Sequence, residues 1–102
     1  MMYSEASLAR NIQMFCRDFG LLRYHALRSE GSAPGWPDEA IIAGRTLFIL
    51  ELKRPEGRIT PAQQVWLDAL DRVDTLVTGA CRPGDWPGYQ DMMIAATRKD
   101  HQ

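Results

Sequence analysis

Apolar residues recur along this chain with two periods, and each switch between them marks an element. Leu8, Ile12, Phe15 and Phe19 stand at helical spacing, with Ala9 and Cys16 beside them. Ser4 can cap that helix, which is expected to run to about Asp18 before Gly20 ends it. From Leu21 to Arg28 the period falls to two, with Leu22, Tyr24, Ala26 and Arg28 alternating against Arg23, His25 and Leu27. The stretch from Ser29 to Trp36 is rich in Gly, Pro and Ser and reads as a loop. Pro37–Ala43 and Thr46–Lys53 are the next two strands, with Pro37 tolerable as a first strand residue. Arg54-Pro55-Glu56-Gly57 suits a type I turn. Thr60-Pro61-Ala62-Gln63 opens a second helix, with Thr60 as cap and Gln63 completing a capping box. That helix continues through Trp66, Leu67, Leu70 and Val73, and Gln63 lies in line with Leu67 and Leu70, toward the sheet. Thr75–Cys81 is a last strand. It follows a crossover helix, so it should run parallel to the strand before it. After Arg82-Pro83-Gly84-Asp85, Tyr89, Met92, Met93 and Ala96 predict a short amphipathic helix, and Lys99–Gln102 a frayed tail.

The two middle strands carry the chemistry. Gly44-Arg45 suits a two-residue hairpin loop, with Gly where a type II′ turn needs it. Counting back from that loop, Ala43 faces Thr46, Ile41 faces Phe48, Glu39 faces Leu50, and Asp38 falls opposite Glu51. Leu47, Ile49, Glu51 and Lys53 share one face, and Phe48, Leu50 and Leu52 the other. A carboxylate buried in such an apolar run needs a partner, and directly opposed like charges destabilise a sheet. The spacing admits two answers. One is a hard divalent cation between Asp38 and Glu51; the other is a surface cross-strand cluster neutralised by Lys53. Glu5 sits one turn before Leu8 on the inward stripe, and on spacing alone it is an acid favoured by the helix N-terminal dipole. His25, a lone histidine, is on spacing alone structural.

Length and composition narrow the field. A chain of 102 residues makes one domain. No run of about 18 apolar residues is present, so no membrane span is expected. No targeting signal is visible at the N-terminus, and Cys16 and Cys81 lack paired spacing. These features point to a reduced, cytoplasmic protein. The net charge of −1 excludes a generally basic nucleic-acid binder, so any grip on phosphate must come from local placement.

The order helix, three strands, helix, strand, helix, with Pro37-Asp38 and Glu51-Leu52-Lys53 on neighbouring strands, resembles the PD-(D/E)XK nuclease superfamily. The wider set Gly35, Pro37-Asp38, Glu51-Leu52-Lys53, Gly57, Ile59-Thr60-Pro61, Gln63 and Trp66-Leu67 resembles its VRR-NUC (virus-type replication-repair nuclease) family. The likeness runs from Glu5 to about Asp85; Trp36 fills a place that varies in that family, and the chain is not basic as a whole. The resemblance implies an α/β fold: a restriction-endonuclease-like αβββαβ core, a mixed central sheet flanked by helices, and an extra C-terminal helix. It implies that residues 1–102 form a single VRR-NUC-like nuclease domain. It also implies an active site of Glu5, Asp38, Glu51, Lys53 and Gln63, working with Mg²⁺ or Mn²⁺. Asp38, Glu51, the Leu52 carbonyl and Glu5 would hold the metal. Lys53 would orient water and stabilise the phosphorane, and Gln63 would hydrogen-bond the water or Lys53.

The expected activity is that of a divalent-metal-dependent, structure-specific DNA endonuclease. Short stand-alone members of the family are like Holliday-junction resolvases and act as homodimers, and this chain has no room for a further DNA-binding domain. Branched DNA and a second copy of the chain are therefore the expected partners, with no membrane involved. Arg54, Arg58, Arg23 and Arg28 are candidate phosphate contacts. Trp36, Trp86, Tyr89, Met92 and Met93 are candidate interface residues, or else complete a small core. The alternatives are a flap or nicking nuclease of replication and repair, and a non-catalytic DNA-binding module of the same fold.

Overall fold

The computed structural model describes residues 4–26 and 33–100. Leu27, Arg28 and the rest of residues 27–32 lie outside the described residues, and with them the expectation for Arg28 as a phosphate contact. The elements run α1 (Glu5–Phe19), β1 (Leu22–His25), β2 (Glu39–Ala43), β3 (Thr46–Leu52), α2 (Pro61–Asp71), β4 (Leu76–Cys81) and α3 (Trp86–Asp100). The strands form one mixed sheet in the order β1-β2-β3-β4. The first two pairings are antiparallel and β3–β4 is parallel, so α2 is a crossover helix as its position predicted.

Local chemistry explains where these elements begin and end. The Ser4 side chain accepts from the Ser7 N–H at 3.0 Å and starts α1. Gly20 ends it in the left-handed region, φ 69°, which a side chain would make costly. Thr60 and Gln63 form a reciprocal capping box at α2, with Pro61 in its first turn. Gly44 has φ 59° and no non-glycine among the described residues has positive φ, which selects a type II′ over a type I′ hairpin turn. The β2–β3 register is the one counted from that loop: Ala43 opposite Thr46, Ile41 opposite Phe48, Glu39 opposite Leu50.

The core lies on one face of the sheet. Leu8, Ile12, Phe15 and Cys16 of α1 meet Ile41 and Ala43 of β2, Phe48, Leu50 and Leu52 of β3, Cys81 of β4, and Trp86 and Met93 of α3. The edge of the Trp86 ring meets Phe15 with centroids 5.4 Å apart, and this contact joins the two helices. Leu67 of α2 and Ile49 of β3 are buried outside that cluster, with α2 against β4. The strand β3 is therefore buried on both faces, which is why Glu51, on the Ile49 side, is only 3% exposed.

Two expectations need correction. The C-terminal helix is not short: α3 spans fifteen residues and takes in Lys99 and Asp100, which were expected to fray. Trp86 and Met93 are core residues rather than spare interface, because the α1–β2–β3 layer is too small to close without them. Met92 and Trp36 do keep substantial exposure. The larger uncovered apolar surface is elsewhere. Leu22, Tyr24 and Ile42 stand out from the β1–β2 half of the sheet. Among the described residues no helix is long and apolar enough to cross a membrane.

Candidate active site

Continuing the β2–β3 register by one residue puts Asp38 beside Glu51, and the side chains meet there. The Asp38 Oδ2 accepts from the Leu52 N–H at 3.0 Å, which pins the residue just outside β2 to the end of β3. The Asp38 and Glu51 carboxyls interact by hydrogen bond, so the pair shares a proton. Burial, and then Asp38, push the Glu51 carboxyl up to about 9; Lys53 opposes this and Glu5 adds to it. Three of the other residues expected in the site, Asp38, Lys53 and Glu5, therefore act on Glu51. A cavity of about 220 Å³ opens beside them, lined by Glu5, His25, Asp38, Leu52 and three alanines of α1 and β1's end.

Gln63 stands in the first turn of α2, outside the lining of that cavity and the group that acts on Glu51. Its Oε1 accepts from the Thr60 N–H at 2.9 Å, so the carbonyl end serves the cap and only the amide nitrogen remains for the site. The loop before Asp38 is moored to the same helix. The Trp66 Nε1–H donates to the Pro34 carbonyl at 3.0 Å, and Trp36 meets Trp66 edge to face at 4.9 Å. Gly35 lies so close that a Cβ would stand 2.4 Å from the carbonyl carbon and oxygen of Ala62, and its φ is +82°. Gly35→Ala is therefore expected to destabilise the protein by more than the ~1–2 kcal/mol of left-handed strain alone. It should also displace Asp38; thermal melts beside divalent-ion titration will show whether the two losses go together.

The candidate phosphate contacts differ in their freedom. Arg54 is mostly exposed and only loosely paired with Glu56 at 4.0 Å, a contact worth little. Arg58 is exposed. Arg23 is instead turned inward: Nε donates to Glu39 Oε1 at 2.8 Å and Nη2 to Oε2 at 2.7 Å, with the Ala9 carbonyl also in reach. Arg82, not singled out from the sequence, donates to the Gly57 carbonyl at 2.9 Å and holds the turn that follows Lys53.

Sequence reasoning also passed over Glu39. It is 1% exposed, and it takes Arg23 and the Nδ1 of His25 together. The available signal was parity: Glu39 alternates inward with Ile41 and Ala43, and His25 and Arg23 share the equivalent parity on β1.

Among the described residues no group of three or more His, Cys, Asp or Glu side chains is gathered closely enough to hold a metal ion. Two facing carboxylates with a main-chain carbonyl nearby is a smaller donor set, all of it hard oxygen, and it suits Mg²⁺ or Mn²⁺ rather than a softer ion. Comparison with protein-family models, with curated proteins and with solved structures found no match.

Proposed function

We propose that this chain is a divalent-metal-dependent DNA endonuclease of restriction-endonuclease-like fold, related to the VRR-NUC nucleases. The observation that carries the reading is the Asp38–Glu51 pair, in which the burial of Glu51, and then its contact with Asp38, raise the Glu51 carboxyl far above the usual carboxylate range. A structural role gives no reason to bury Glu51 against a second acid beside a lysine. A divalent cation relieves that repulsion, and the residues fit it: Asp38, Glu51 and the Leu52 carbonyl as ligands, with Glu5 across the cavity. When bound, the cation supplies positive charge against the negative charge that builds up on the scissile phosphate.

The protein's own groups do the rest. Lys53, two residues beyond Glu51 and opposing its charge, orients the attacking water and stabilises the phosphorane oxygens. The exposed guanidiniums of Arg54 and Arg58 lie on the chain just beyond it and take flanking phosphates. The Gln63 amide nitrogen is within the same helix N-terminal region, whose N–H groups favour anions. A homodimer acting on branched DNA, in the manner of a Holliday-junction resolvase, fits a small chain of net charge −1. One copy offers few phosphate contacts, and two-fold pairing doubles both contacts and cuts. The exposed Leu22, Tyr24 and Ile42 are the apolar surface available for such pairing.

The test is cleavage of matched four-way junction, flap and linear duplex with Mg²⁺ or Mn²⁺, with and without chelator, beside the mass in solution. Asp38→Ala is expected to abolish cleavage and weaken Mn²⁺ binding in calorimetric titration. Lys53→Ala is expected to lose single-turnover cleavage by roughly two orders of magnitude or more while retaining Mn²⁺ and DNA. Wild-type Mn²⁺ affinity in the Asp38 variant would sink the metal site. A monomer preferring flaps would replace the junction assignment and leave the nuclease chemistry standing.

A further inference from the structure

His25 closes β1 and lines the cavity that Glu5, Asp38 and Leu52 also line. Its Nδ1 lies against Oε2 of Glu39, whose side chain is fully buried and binds Arg23 through both oxygens. A carboxylate that grips a guanidinium with both oxygens is ionised and only accepts hydrogen bonds. The ring nitrogen facing it must therefore carry the proton. This fixes the tautomer of the neutral imidazole: Nδ1 is the donor, and the cavity can use only Nε2, with its lone pair. The charged groups around the ring are Arg23 and Glu39 of the sheet, Glu5 of α1 across the cavity, and Asp38. A half-buried histidine oriented by a buried acid, its Nε2 outside that bond and the residue lining a cavity shared with candidate ligands, has the arrangement of a general base.

We propose that His25 is a further catalytic residue, taking the proton of the attacking water on Nε2; this rests on the nuclease reading above. The water oxygen forms its bond to phosphorus while its proton passes to Nε2. The phosphorus–oxygen bond to the leaving strand breaks with its electron pair on that oxygen, which takes a proton from solvent. The Glu39 carboxylate steadies the imidazolium until it releases its proton to solvent.

Asparagine at this position sets an amide nitrogen where Nδ1 stands, keeping the bond to Glu39 and deleting Nε2. His25→Asn should melt with the wild type and keep its affinity for four-way-junction DNA, yet cut under single turnover roughly 10²- to 10⁴-fold more slowly with Mg²⁺. His25→Ala should be as slow, and added imidazole should restore part of its rate without changing DNA affinity. A His25→Asn variant that cuts at the wild-type rate, or a slow His25→Ala variant that imidazole leaves unchanged, would overturn the proposal. A wild type that cuts none of the DNA substrates defeats the nuclease reading and this proposal together. A wild type that cuts, beside a His25→Asn variant equally fast, defeats this proposal alone.

Discussion

Replacing Glu51 with Gln should raise the melting temperature at pH 8 and remove most of the pH dependence of stability between pH 5 and 8. The folded Glu51 carboxyl is pushed up to about 9 by burial and by Asp38, against an ordinary value of 4.5. Between those values the native state holds a proton that the unfolded chain has released. The contribution of this carboxyl to stability is therefore full below about pH 4.5 and declines as pH rises toward 9, with a slope of at most about 1.4 kcal/mol per pH unit. Each kcal/mol moves the melting temperature of a domain this size by about 4–8 °C. Glutamine is neutral throughout and can still donate to Asp38, so the slope goes and the high-pH deficit with it. The measurement is a melt in chelator at half-unit steps of pH, for wild type and Glu51→Gln. A wild type whose melting temperature climbs from pH 6 to 8 while the variant behaves the same would refute the shared proton. Mn²⁺ adds a second arm: it should raise the wild-type melting temperature at pH 8 and leave Glu51→Gln nearly unmoved, because a cation favours the doubly ionised pair.

The second large effect is expected at Glu39. Glu39→Ala removes the one acceptor that satisfies both Nε and Nη2 of Arg23, and it leaves that guanidinium, 15% exposed, without a counter-charge. Breaking a buried pair from one side costs about 3–5 kcal/mol, a fall in melting temperature of about 10 °C or more. The double variant Arg23→Met with Glu39→Met should be far milder, since apolar side chains of similar volume replace both charges at once. Urea unfolding of the three proteins decides it. An alanine variant as stable as wild type, or a double variant worse than the single one, would mean that the cluster contributes little to the fold. Because Glu39 also holds His25, both variants should lose cleavage too, but only Glu39→Ala should lose it together with stability.

Much of this molecule is local, and local features are legible in a sequence. The caps at Ser4 and Thr60, the left-handed stop at Gly20 and the two-residue turn at Gly44-Arg45 each depend on a few neighbouring residues. The turn in turn set the β2–β3 register, because side chains alternate with a period of two and a hairpin of known length leaves one way to count. The sequence alone therefore places Asp38 and Glu51 face to face. The same reasoning could not say how deeply Glu51 is buried. That depth depends on α1 and α3 covering one face of the sheet and α2 the other, and on the parallel β4 closing one side. It is this long-range packing that turns two opposed acids into a pair sharing a proton. Nor could alternation along single strands choose a partner for Arg23, which on β1 alone is simply a cation available to phosphate. Only the β1–β2 pairing brings Glu39 under Arg23 and His25 at once. The extent of α3 and the inward turn of Trp86 and Met93 were likewise decided by the need to complete the core beside α1 on that face of the sheet, since a helix with a weak apolar stripe is positioned by what it packs against rather than by its own pattern.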